Sequence, residues 1–153
     1  MIHGKIFRQG DNLQDAFFVR EQVFVNEQKV PKDHEFDEWD EKAIHAVAYD
    51  EQDQPVATGR LILDDDFNFL LGRIAVLKTY RKQKYGDFIV RLLLDQAFQC
   101  AASEVFIHAQ VAAVPFYETI GFHSFGEPYM EENIAHISMS LKRGEMKTEC
   151  ANK

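Results

Sequence analysis

The sequence predicts an α+β domain in which helices flank a central mixed sheet, mostly antiparallel. Three patterns predict it. Strand-like stretches at 44–49, 56–63 and 69–76 follow one another through short polar turns, as in an antiparallel meander. A long amphipathic helix then separates the third stretch from another strand at 104–108, so one strand–helix–strand crossover adds a parallel pair. An earlier helical pattern, Leu13, Ala16, Phe17, Val23 and Phe24, supplies a second helical layer.

Taken in order, residues 5–8 read as a first strand. Asp11 and Gln14 have capping-box spacing and start the first helix, with Asp11 as its N-cap. Arg20 falls on the apolar face of that helix. A buried guanidinium needs an acidic partner, and five carboxylates follow in seven positions: Glu35, Asp37, Glu38, Asp40 and Glu41. Asp37 and Asp40 are expected to hold Arg20 and shape a pocket. The three strands come next, with Gly59 inside the second and Asp64 to Asp66 in the turn after it. A basic stretch, Arg81, Lys82, Gln83, Lys84, Tyr85, Gly86 and Asp87, leads into the long helix, whose buried face is read as Ile89, Leu92, Leu93, Ala97 and Cys100. Cations gathered at a helix N-terminus run against the usual preference for acids there and suit a phosphate. Pro115 opens a short helix that Gly121 ends. Gly126, Glu127 and Pro128 read as a turn, and 134–141 alternates as a last strand.

Composition narrows the function. The 153 residues suffice for one domain, set at 1–143, with a frayed tail at 144–153 where apolar periodicity stops. Apolar residues are 46% and charged residues 27%, which excludes a disordered or low-complexity chain. No apolar run reaches the roughly 20 residues a membrane span needs, and residues 1–10 lack an apolar signal region, so a cytoplasmic protein is expected. A net charge of −8 disfavours nucleic-acid binding. Cys100 and Cys150 match neither a disulfide framework nor a metal spacing; Cys100 reads as core and no metal is expected. Thirteen Phe against one Trp suggest a Phe-rich core.

The order of strand, Arg-x-x-x-x-Gly loop, long helix, strand, and then Phe116, Tyr117, Glu118, Gly121 and Phe122 resembles the GCN5-related N-acetyltransferases (GNAT) over roughly residues 5–141. Gly72 to Val76 and Tyr80–Arg81 support it in the right order. The family's phosphate loop is Gln/Arg-x-x-Gly-x-Gly/Ala, and here Lys84 replaces its first glycine. Arg20, Val23, Phe24, Glu27, Gln28, Pro31, Glu35, Asp37, Asp40, His45 and Arg60 resemble the small bacterial ElaA/YjcF-type acetyltransferases. Some of these residues (Arg20, Phe24, Asp37, Asp40, Arg60) also look like acyl-homoserine lactone synthases. Those enzymes are usually longer and lack the Phe-Tyr-Glu-x-x-Gly-Phe segment.

The resemblance implies a GNAT-type fold and transfer of an acetyl group from acetyl-CoA to a primary amine of a small molecule or a protein. It implies that the strand Arg73 to Val76 pairs its backbone with the pantetheine arm, with Ile74, Ala75 and Val76 as binding residues, that residues 81–87 hold the pyrophosphate with Phe116 nearby, and that Tyr117 protonates the departing thiolate. For the base, Glu35, Asp37, Asp40, His45 and His136 are the candidates, directly or through water, and no motif chooses among them. Family members are often homodimers. Two readings stay open beside this one: a lactone synthase on the same fold, and an acyl-CoA-binding domain without activity.

Overall fold

A computed structural model describes residues 2–148. Seven strands form one sheet in the order β1-β2-β3-β4-β5-β7-β6. They are β1 (His3–Phe7), β2 (Ile44–Tyr49), β3 (Pro55–Leu63), β4 (Phe69–Val76), β5 (Glu104–Gln110), β6 (His123–Glu131) and β7 (Ile134–Lys142). Every neighbouring pair is antiparallel except β4 and β5, which are parallel. The four α-helices are α1 (Gln14–Arg20), α2 (Lys32–Glu35), α3 (Tyr85–Gln99) and α4 (Val114–Ile120).

Strand alternation divides the core between the two sheet faces. Ala46 and Ala48 of β2 face α3, whose Ile89, Val90, Leu93, Leu94 and Ala97 are buried. Val47 and Tyr49, one residue out of phase, pack with Ala16 of α1 on the other face. Gly59 sets how closely α3 lies on the sheet. A Cβ there would fall 2.6 Å from Ile74 Cδ1, 2.8 Å from Ile89 Cγ2 and 2.9 Å from Leu93 Cδ1.

Several expectations need correction. Asp11 does not cap α1. Its carboxylate accepts from the Arg8 N–H, Asn12 Oδ1 accepts from the Gln14 N–H, and Leu13 occupies the N-cap without a side-chain bond. The first helix is not α-helical to its end: Glu21–Glu27 is π-helical, with Gln28 N–H donating to the Val23 carbonyl. Gly126, Glu127 and Pro128 are not a turn but an irregularity within β6, where the register with β7 shifts between Phe125 and Tyr129. As an edge strand, β6 tolerates a proline and a bulge that a central strand would not. The core is aliphatic rather than Phe-rich: Phe122 alone among the phenylalanines is fully buried. Cys100 is exposed, because the helix ends at it and Ala102 turns back into the core instead.

The segment after β7 is not frayed where it is described. Met146 packs on the core, Lys147 N–H donates to the Ile120 carbonyl, and Arg91 donates to the Lys147 carbonyl. Gly121, at φ +126, lies so close to this segment that a Cβ would collide with the Glu145 carbonyl. Cys150 and the rest of 149–153 lie outside the described residues.

Gly59→Ala is expected to overpack the α3–sheet contact and cost about 1–3 kcal/mol, measured as a lower urea midpoint at unchanged slope. An unchanged midpoint would mean that α3 can move away without loss.

Candidate active site

The parallel pair gives the protein its cleft. β4 and β5 pair only at Phe69–Val105, Leu70–Phe106 and Leu71–Ile107. Beyond these the strands separate, and residues 72–76 have no strand partner on the β5 side among the described residues. A strand edge whose N–H and C=O groups lack a ladder partner is open to an amide-bearing ligand. The gap opens into a cleft of about 760 Å³, lined by Ile74, Ala75, Val76, Phe116 and Tyr117 among others. Opposite, β4 bulges against β3, and Arg73 takes φ +53 there. Bulges re-aim side chains, and Arg73 is brought to the cleft wall.

One end of the cleft is basic. Lys82 and Lys84 take left-handed backbone (φ +64 and +72), and Lys84 caps α3. The lysine therefore adopts the conformation a glycine would take most easily. Tyr85, Gly86 and Asp87 form the first turn of α3, whose N–H groups carry positive dipole charge. Arg81, Lys82, Lys84, Tyr85, Gly86 and Asp87 all line the cleft. Gln83 does not; its Nε2 donates to the Thr79 carbonyl at 3.2 Å. Asp87 is paired with Arg91 at 2.9 Å.

The opposite end is built by the acidic segment, the N-terminal helix and the β6–β7 hairpin. Arg20, 1% exposed, donates from Nε to Glu35 Oε2 (2.9 Å), from Nη1 to Asp40 Oδ1 (2.7 Å) and from Nη2 to the Glu35 carbonyl (2.8 Å). Arg60 donates to both Asp37 (2.7 and 3.0 Å) and Asp40 (2.8 Å). Arg73 donates to the Glu35 carbonyl (3.0 Å) and to Asp37 Oδ2 (3.2 Å). So Glu35 and Asp40, not Asp37, bind Arg20. Asp37 instead forms a capping box with Asp40 around a short 3-10 turn, Glu38–Glu41.

Of the five base candidates, Glu35 and His136 line the cleft, whereas Asp37, Asp40 and His45 do not. Burial pushes Asp37 and Asp40 up, but their bonds to Arg60 and Arg20 outweigh it and hold both below the usual carboxylate range. For Glu35, burial prevails over Arg73 and Arg20 and raises it. His45 is a buried structural histidine. Its Nε2 donates to the Asp40 carbonyl at 2.9 Å, and its Nδ1 has no partner among the described residues. Burial lowers its pKa, with Arg20 and Arg60 adding to the effect. His136 Nδ1 donates to the Ile134 carbonyl at 2.7 Å, which leaves Nε2 as the ring atom that can accept a proton. Tyr129 stacks on this ring at 5.9 Å and bonds to His108 Nδ1 at 2.8 Å. Tyr117 is buried against Phe116 and Phe122, and burial raises its phenol well above the usual tyrosine range.

Sequence reasoning missed His108 and the amide pair of Gln28 and Gln110 (3.0 and 3.3 Å), which line the cleft, and Tyr129, which stacks on His136; Arg73 was expected only as backbone of the pantetheine strand, not through its side chain. Arg73 stood inside a segment already singled out, but a positive φ leaves no mark in the sequence.

Residues 12–143 match the acetyltransferase (GNAT) domain family. The chain belongs to the GNAT acetyltransferase family. A Bacillus subtilis (strain 168) relative, "Uncharacterized N-acetyltransferase YjcF", is 38% identical over 135 residues, 88% of this chain and 95% of the relative. Escherichia coli ElaA superposes with a TM-score of 0.82 at 26% identity, over 93% of this chain and all of ElaA. An acyl-CoA N-acyltransferase from Pseudomonas aeruginosa does so with 0.79 at 26%, over 92% of this chain and 99% of the other. This acetyltransferase has the GNAT acyl-CoA N-acyltransferase fold, and no helix among its described residues is long and apolar enough to cross a membrane.

In this acetyltransferase Arg20 joins three elements, and removing it would leave Glu35 and Asp40 buried without their main partner. Arg20→Ala is expected to cost about 3–5 kcal/mol in urea denaturation; a loss under about 1 kcal/mol would show that water replaces the guanidinium.

Proposed function

We propose that this acetyltransferase moves the acetyl group of acetyl-CoA to a primary amine by direct attack on the thioester. One observation carries the reading: the open edge of β4 runs straight into the basic N-terminus of α3. The residues present fit the cofactor. The unpaired edge at 72–76 suits the amides of a pantetheine arm. The first-turn N–H groups of α3, with Lys82 and Lys84, suit a diphosphate. Bound there, acetyl-CoA supplies an electrophilic carbonyl and a thiolate leaving group.

The chain's own groups support the rest. An alkylammonium must lose a proton before it attacks. His136 lines the cleft with Nε2 as the ring atom that can accept a proton, and Tyr129 stacks against its ring, which favours it as the proton acceptor. Glu35 is the other cleft-lining candidate, but Arg20 and Arg73 already engage its Oε2, at 2.9 and 3.1 Å. It favours seating the ammonium over taking its proton. Tyr117 stays protonated at neutral pH because burial raises its pKa. Full transfer from so weak an acid to a thiolate with a conjugate-acid pKa of about 8.5 runs uphill. Tyr117 therefore serves best as a hydrogen-bond donor to the leaving sulfur.

Thermal unfolding tests the cofactor. At 100 times its Kd, acetyl-CoA should stabilise by about 2.7 kcal/mol, more than ADP, with S-adenosylmethionine giving no shift. No shift with acetyl-CoA would sink the reading, and a shift with S-adenosylmethionine would favour a lactone synthase. For the donor role, Tyr117→Phe is expected to lower kcat about 100-fold with the acetyl-CoA Kd nearly unchanged. Wild-type turnover in that variant would remove Tyr117 from the chemistry.

A further inference from the structure

Glu27 lies at the end of the π-helical stretch, a conformation that recurs at functional sites. It crosses to the phosphate loop and takes the whole fork of Arg81: Nη1 to Oε2 at 2.8 Å and Nη2 to Oε1 at 2.7 Å. The third donor, Arg81 Nε, goes to the Val76 carbonyl at 2.9 Å. The Nη1/Nη2 edge of a guanidinium seats one bidentate anion at a time, and the Nε edge of Arg81 is already turned to the Val76 carbonyl. Arg81 lines the basic end of the cleft, yet in this structure its Nη1/Nη2 edge belongs to a carboxylate of the protein itself.

The pair is easily exchanged. Both side chains are 38% exposed, and exposed ion pairs are weak because water screens them. The hydrogen bonds to Arg81, partly opposed by burial, hold Glu27 below the usual carboxylate range, so it is charged at neutral pH and competes as an anion. The next residue keeps the segment in place without it. Gln28 forms its reciprocal amide pair with Gln110 at the end of β5, and Val30 N–H donates to the Phe24 carbonyl at 2.8 Å. Residues 27 and 28 thus span the mouth of the splay from the loop after β4 to the end of β5. Only the Glu27 end of that span is held by a charge that a phosphate can displace.

We propose that Glu27 is a positioning residue that sets donor affinity: it occupies Arg81 when the donor is absent, and the donor diphosphate displaces it. The proposal rests on acetyl-CoA being the donor. Removing the carboxylate then tightens binding of phosphate-bearing ligands. A purely structural Glu27 would have the opposite effect, since its loss would loosen the loop and weaken binding.

Calorimetric titration of the full chain with coenzyme A, ADP and S-acetylpantetheine tests this, in wild type, Glu27→Gln and Glu27→Asp. The melting temperatures of both variants check that they fold. Glu27→Gln should bind coenzyme A and ADP about fivefold more tightly, the scale of one weak ion pair, with no change for S-acetylpantetheine, which has no phosphate. Glu27→Asp keeps the charge and should stay near wild type. If wild type binds coenzyme A and Glu27→Gln binds it equally or less tightly, Arg81 stays with Glu27 and the proposal falls while the acetyltransferase reading stands. If wild type does not bind coenzyme A at all, both fall.

Discussion

A guanidinium buried to 1% exposure must meet its full set of acceptors inside the protein, and the cleft end opposite the basic loop is arranged around that demand of Arg20. Glu35 and Asp40 come inward to satisfy it, and each brings a further requirement. Asp40 also accepts from Arg60, and Glu35 offers its carbonyl to Arg73. Asp37 then closes the set by pairing Arg60 with Arg73. Three cations and three anions balance, drawn from α1, β3, β4 and the stretch between α1 and β2. That stretch consists of short helical segments joined by bends, so its position as a cleft wall depends on these ion pairs. Burial keeps His45 beneath them toward its neutral form, and Arg20 and Arg60 add to the effect.

The second constraint is the sheet. β4 pairs with β3 along most of its length but with β5 for only three residues. The unused edge leaves the backbone of residues 72–76 facing the cleft. α3 could not approach β3 so closely without Gly59, and its N-terminus sets where the basic end of the cleft lies. The two ends of the cleft are thus built by different physics: helix dipole and the lysines Lys82 and Lys84 at one, mutually neutralised ion pairs at the other.

Much of the site was legible because chemistry leaves residue types behind. Arg20 on an apolar face required acids, and they followed in sequence; which acids could not be read, since five lay within seven positions. The basic loop before α3 was legible from charge. The choice between Glu35 and His136 on one side and Asp37, Asp40 and His45 on the other was not. His45 and His136 both sit in strands, and only the packing of neighbouring elements decides that one is sealed beneath Asp40 while the other reaches the cleft. Cys100 was misread because periodicity extends past the point where a helix ends.

By itself, the sequence determined the meander, the crossover helix and the order of the family's segments, because these follow from local periodicity and from residue types at short spacing. The tertiary structure alone decided where β4 and β5 part, which carboxylate meets which guanidinium, that Arg73 turns into the cleft, and that Glu27 reaches Arg81 across 54 positions. Those depend on strand register, backbone bulges and contacts between distant segments, and none of these is encoded within a window of neighbouring residues.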